Sequence, residues 1–182
     1  MPRKRKSNRA QAVILLLLCI AIATLIYVNR NRTVSREPAP GERAGPASIY
    51  PDPARTPGAA NPEITQENVG ETICNPDWST RGIRPPSSYT SRLKKRQMAE
   101  LGLPGATSDY EEDHLISLEL GGSPDDPRNL WPEPYGAHPG AREKDVVENY
   151  LHKQVCSGEM TLADAQRAIA QDWYRVYMEI RR

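Results

Sequence analysis

Asp113 and His114 stand side by side at the head of the run Asp113-His114-Leu115-Ile116-Ser117-Leu118-Glu119-Leu120, which closes on Gly121-Gly122 and is followed by Asn129-Leu130. These residue types suit phosphodiester hydrolysis. That reaction needs a water relieved of a proton, charge neutralised at the phosphate, and help for the departing oxygen. A neutral histidine titrates near working pH and can take the proton. A carboxylate can hold a divalent cation for the other two tasks. Mg²⁺ prefers oxygen ligands and keeps several waters, so one or two protein ligands suffice. An acid beside a histidine is by itself most often a surface or capping pair. Here the glycine pair and the asparagine give it a context.

In that order of parts the segment resembles the ββα-metal nucleases known as HNH or His-Me-finger endonucleases. The resemblance covers residues 113–130 and extends, more thinly, to Trp131-Pro132-Glu133-Pro134 and Lys144-Asp145. It implies that His114 is the general base, that Asp113 binds the metal, and that Asn129 orients the histidine or its loop. The implied cofactor is a divalent metal, Mg²⁺ or alternatively Mn²⁺, and the implied activity is hydrolysis of phosphodiester bonds in DNA or RNA. It further implies one more metal ligand after Asn129. His138 is the first candidate. Asp145, Glu148, Asn149 and His152 share the polar face of a following helix, and Asp145, Glu148 and His152 at i, i+3 and i+7 can converge on one spot. With no Cys-x-x-Cys knuckle, a structural zinc is not expected.

A nuclease also has to hold a phosphate backbone. Between Trp78 and Ala99 lie six basic residues and no acids: Arg81, Arg84, Arg92, Lys94, Lys95 and Arg96, with Tyr89 among them. On an otherwise acidic domain this run concentrates positive potential, and Arg84, Arg92, Lys94, Lys95 and Arg96 are the expected nucleic-acid contacts. A solvated helix face is the competing reading for Lys94-Lys95-Arg96. Nothing in the run reads bases, so little sequence specificity is expected. The rival reading from another class is a non-catalytic envelope module that keeps the fold for binding.

The elements that must carry these residues are few. Ser91 can cap a helix that ends at Gly102. Ile116, Leu118 and Leu120 alternate with Ser117 and Glu119, which predicts a half-buried strand. Gly121-Gly122 and Pro124-Asp125-Asp126-Pro127 make a loop. A helix is predicted from Ala141 to Cys156 with Val146, Val147, Tyr150, Leu151 and Val155 on one face. Thr161 and Asp164 cap a last helix whose apolar positions run from Leu162 to Ile180. The expected fold class is α+β: a small ββα-metal core with flanking helices over residues 62–182, preceded by one transmembrane helix and a disordered linker.

Composition supports that division. Residues 1–60 hold ten Lys/Arg against three acids, whereas the remainder holds fourteen against twenty. The C-terminal part is therefore not a general polyanion binder. A basic tail (residues 1–9) precedes an uncharged apolar run from Ala10 to Asn29, and about 20 residues at roughly 1.5 Å rise span a bilayer core of about 30 Å. Residues 30–61 are rich in Pro, Ala, Gly and Arg and read as a disordered linker. The positive-inside bias favours a single-pass protein of the inner (cytoplasmic) membrane with its C-terminal domain periplasmic or extracellular. A cleaved signal peptide ending near Ala21-Ile22-Ala23 is the alternative, although Leu25-Ile26-Tyr27-Val28 continues the apolar run. Leu18 before Cys19 does not fit a lipoprotein signal. That leaves Cys74 and Cys156 as an even pair, able to close a disulfide in an oxidising compartment or to remain two free thiols. No protein partner is implied.

Overall fold

The computed structural model describes residues 49–182. Helix α1 (Ser87–Leu101) is followed by strand β1 (Tyr110–His114), a 3-10 turn (Leu118–Leu120), strand β2 (Leu130–Pro134), helix α2 (Ala141–Cys156) and helix α3 (Leu162–Ile180). The two strands form one antiparallel hairpin in which Asp113 faces Trp131 and Glu111 faces Glu133. The ladder continues at both ends through Leu115 N to Asn129 O (2.8 Å) and Tyr135 N to Asp109 O (3.0 Å). Bonded pairs therefore fall at the odd positions of both strands. Pro132 and Pro134 occupy the alternate places of β2, where the backbone nitrogen faces away from β1 and no donor is needed.

The expected strand over Ile116–Leu120 is not present. Leu115, Ile116, Ser117, Leu118 and Leu120 are all buried, so the alternation in the sequence does not divide an inner face from an outer one. The segment turns through a 3-10 helix that Gly121 closes at φ 69°, a left-handed value that glycine adopts without penalty. Gly122 is required for another reason: a Cβ there would lie 1.9 Å from the carbonyl oxygen of Ile116.

Helix α1 starts one turn before the expected Ser91, just past Pro85-Pro86, and ends on Gly102 at φ 62°. Helix α2 covers the predicted residues, and its first turn is tied by Glu143 Oε2 accepting from Gly140 N at 2.8 Å. Its buried stripe differs from the prediction. Lys144, Val147, Leu151 and Val155 face inward, whereas Val146 and Tyr150 are exposed. In α3, Thr161 Oγ1 accepts from Asp164 N at 3.1 Å, and Leu162, Ala165, Ile169, Trp173 and Val176 are buried. The helix kinks at Asp172, whose carboxylate accepts from Arg175 N (3.0 Å) and so caps the second segment. The main core lies between α2 and α3 and is completed by Ile64, Ile73, Ile116 and Leu120.

The expected boundaries need two corrections. The ordered domain includes residues assigned above to the linker: Trp173 Nε1 donates to Ile49 O (3.2 Å), Tyr50 Oη to Asp172 (2.9 Å), and Ala60 bridges to Gly122. Among the described residues, no helix is long and apolar enough to cross a membrane. The predicted transmembrane run, residues 10–29, lies outside the described residues, as do the basic tail and Cys19. The fold class is accordingly an α+β domain of three helices and a two-stranded sheet with no membrane-spanning helix assigned, and the single-pass membrane location is not retained.

Cys74 and Cys156 form an intrachain disulfide, with their Cα atoms 5.4 Å apart and a separation of 82 positions in sequence. It ties the turns before α1 to the end of α2. A closed loop of that length restricts the unfolded chain by about 4.5 kcal/mol in the loop-entropy model. The double variant Cys74→Ser, Cys156→Ser is expected to lose stability of that order in urea titration. A midpoint equal to that of the oxidised protein would show that the bridge does not stabilise the fold.

Candidate active site

The hairpin delivers Asp113 and His114 to one place because β1 ends at His114. Neighbours within a regular strand point to opposite faces; here β1 ends at His114 with only the Leu115 N–Asn129 O bond beyond it, and both residues line a pocket of about 110 Å³. Arg84, Glu119 and Glu148 share that wall with Thr80, Ser117 and Leu118. The loop behind it is held by Asn129, which is fully buried. Its Oδ1 accepts from Ile116 N (2.9 Å) and Ala59 N (3.4 Å), and its Nδ2 donates to Ile116 O (3.0 Å) and Ser123 O (2.9 Å). Asn129 thus fixes the loop that follows His114, rather than touching the imidazole.

His114 is buried, and its Nε2 lies 2.9 Å from Pro124 O. A carbonyl only accepts, so Nε2 carries the proton and donates to it. Nδ1 is then the basic nitrogen of the neutral ring. Burial lowers the imidazole pKa below the ordinary histidine value, against the opposing effects of the Pro124 bond and the Asp113 charge. The ring is thereby kept neutral.

At the centre of the acids lies Lys144, which the resemblance included with Asp145 but to which the sequence assigned no role. Lys144 is buried, and its Nζ donates to Asp113 Oδ2 (2.6 Å), Glu148 Oε1 (2.5 Å) and His114 O (2.8 Å). Burial alone would lower its pKa, but the carboxylates of Asp113, Glu148 and Glu133 raise it, and the ammonium stays charged. Burial likewise works against ionisation of Asp113, yet the charge and hydrogen bond of Lys144 hold its pKa below the usual carboxylate value. Glu133, buried and hydrogen-bonded to Asp113, is pushed the other way, to about 9, by burial and by the Asp113 charge. Glu148 is raised to about 7, again chiefly by burial. Asp113 is therefore an ionised carboxylate, and Glu133 a neutral acid that donates to it.

Of the candidates for a further ligand, Glu148 alone lines the pocket with Asp113 and His114. His138, ranked first from the sequence, is exposed in the loop before α2 and is not part of that wall. Asp145 and Asn149 are exposed, with Asn149 Nδ2 donating to Asp145 O. His152 lies beside the disulfide, its Nε2 at 2.8 Å from Ile73 O and 3.4 Å from Cys156 Sγ.

The basic run divides in the same way. Arg84 lines the pocket. Lys94 donates to Tyr110 O (2.6 Å), Arg96 pairs with Glu100 (3.9 Å), and Arg92 and Lys95 are exposed on α1. A larger pocket of about 500 Å³ lies between α1 and residues 50–56, with Trp131 in its wall, and contains none of the acid–histidine group. No protein-family model, curated protein or solved structure matches the chain.

Two outcomes follow for stability. Asn129→Ala removes four hydrogen bonds and leaves the Ile116 amide and carbonyl unpaired in the interior. A loss of about 2–4 kcal/mol is expected in urea titration. Glu133 binds its proton more tightly in the fold than in the unfolded chain. Its contribution to stability is complete below the ordinary carboxyl range and is lost as pH rises toward about 9. Glu133→Gln retains a neutral donor there, so its melting temperature relative to the native protein should rise between about pH 5 and about pH 9. A difference that does not vary with pH would mean that Glu133 is ionised in the fold.

Proposed function

We propose that this domain is a metal-dependent endonuclease of the HNH type that hydrolyses phosphodiester bonds of DNA or RNA with little sequence specificity. The observation that carries the reading is the convergence of Asp113, His114, Glu148 and Arg84 on one pocket; with Nε2 of the buried imidazole bonded to Pro124 O, Nδ1 is the nitrogen left to act as base. Asp113 and Glu148 come from different elements and meet at one cation position, where the Lys144 ammonium engages one oxygen of each. Such a hard-oxygen donor set fits Mg²⁺ or Mn²⁺. Asp113 and Glu148 would hold the ion, which when bound supplies neutralisation of the phosphate and of the departing oxygen.

The remaining work falls to the chain itself. His114 Nδ1 takes the proton of the attacking water, and the Nε2 bond to Pro124 O keeps the ring from turning. Arg84, on the rim, anchors a phosphate oxygen by charge-assisted hydrogen bonds. The exposed Arg92 and Lys95 draw the flanking backbone toward α1 without reading bases.

A second reading, a non-catalytic binding module on the same fold, is favoured by one observation. The Lys144 ammonium already neutralises the two carboxylates that an ion needs. The full chain incubated with supercoiled plasmid and Mg²⁺ or Mn²⁺ separates the two. Nicking is expected, and His114→Ala should slow it by about 10²–10⁴-fold, the usual worth of a general base. His138→Ala should leave it unchanged. The rate should rise with pH through a midpoint below the ordinary histidine value, because the base is the neutral ring. Equal nicking by the native protein and His114→Ala would remove His114 from the chemistry. No nicking and no thermal shift with divalent ions would leave the binding module.

A further inference from the structure

Beyond Glu148, the end of helix α2 and the turns before α1 bring together a second group of metal-ligating side chains that the nuclease reading does not use. Ligand atoms of Cys74, His152 and Cys156 all lie within 4.8 Å of one another. Cys156 is exposed, and Cys74 and His152 are partly so, which leaves the group open to solvent. Beside it is a hollow of about 280 Å³ whose wall includes Cys74, Trp78, Glu119 and His152. In the oxidised protein both sulfurs are committed to the disulfide and neither is a thiolate.

We propose that reduction of the Cys74–Cys156 bridge converts this corner into a binding site for a thiophilic divalent cation such as Zn²⁺, with Cys74, Cys156 and His152 as ligands. Two thiolates and a neutral imidazole are a preferred donor set for that ion, and the hollow leaves room for water in the fourth position. Two sulfurs on one tetrahedral zinc are about 3.8 Å apart, given Zn–S bonds of about 2.3 Å. Once the S–S bond is broken, side-chain rotation alone can open that separation from Cα atoms 5.4 Å apart. His152 must exchange its Nε2 bond to Ile73 O for the ion. The same two sulfurs then serve as a covalent staple when oxidised and as ligands when reduced, so the turns before α1 stay attached to α2 in both states.

The chemistry balances with a phosphine as reductant. The phosphine breaks the S–S bond and becomes a phosphine oxide, taking its oxygen from water, and the two sulfurs leave as thiols. Binding of the cation then releases both thiol protons. The result is a site of zero net charge.

The test uses the full chain reduced with a phosphine and titrated with Co²⁺, whose thiolate charge-transfer absorption reports sulfur ligation and is blind to the carboxylates of the nuclease pocket. One Co²⁺ per chain is expected, displaced by Zn²⁺, with no such absorption from the oxidised chain. The signal should persist in Cys19→Ser. Loss of an outer partner alone weakens metal sites by about 10–100-fold, so loss of the ligand in His152→Ala should weaken binding more than about tenfold. That variant keeps the disulfide, so it can be purified folded before reduction. The proposal is overturned if the reduced native chain lacks the absorption, or if His152→Ala binds Co²⁺ as tightly as the native chain.

Discussion

The charge of Lys144 is the interaction on which the architecture around the hairpin depends. Without it, Asp113 and Glu148 would be two carboxylates brought together in a poorly hydrated interior, one from the end of β1 and one from the middle of α2. The ammonium joins them and also takes the carbonyl of His114, so a single side chain fastens α2 to the point where the hairpin ends. Removing one partner from a buried ion group typically costs about 3–5 kcal/mol, a large part of the 5–15 kcal/mol that holds an ordinary domain together. The lysine also sets the protonation of its neighbours. It keeps Asp113 ionised, and burial together with that neighbouring charge leaves Glu133 its proton, so the two acids are hydrogen-bonded rather than mutually repelled.

A second constraint acts on the imidazole. His114 is the last residue of its strand, where a side chain would ordinarily be free to swing as the loop moves. Asn129 prevents this by bonding both the amide and the carbonyl of Ile116, two residues on, while the glycine at 122 lets the chain return against that carbonyl. The carbonyl of Pro124, across the same loop, then meets the ring. Orientation of the imidazole therefore comes from the backbone of the loop and not from a carboxylate partner.

Helices were the legible part of this sequence. Helix α2 was readable from its ends, although the face it buries was not, and α3 from the Thr161 cap and an apolar spacing that matches its buried stripe. The hairpin was not. Its strands read Tyr-Glu-Glu-Asp-His and Leu-Trp-Pro-Glu-Pro, charged in one case and proline-rich in the other, and only their pairing makes them strands. The apolar alternation just after His114 pointed to the wrong segment because Leu115, Ile116, Ser117 and Leu118 are buried in succession, on both sides of that turn. In the site, Asp113, His114 and Asn129 were recognisable from type and order. Lys144 was hidden because a lysine in a helix is nearly always solvent-facing, although its spacing from Val147, Leu151 and Val155 placed it in the buried stripe. His138 had a suitable separation along the chain, but separation carries no direction, and the turn before α2 leaves it outside.

The two prolines of β2 have a consequence beyond the hairpin. A two-stranded ribbon has open borders, and an open border can template pairing with another chain. On β2, the nitrogens directed away from β1 belong to Leu130, Pro132 and Pro134. Leu130 N is spent on Pro127 O, its carbonyl on Gln97 Nε2, and the prolines have no hydrogen to offer. That border thus offers a neighbouring molecule no backbone donor, and a residue type hostile to strands becomes the feature that guards this edge of the small sheet.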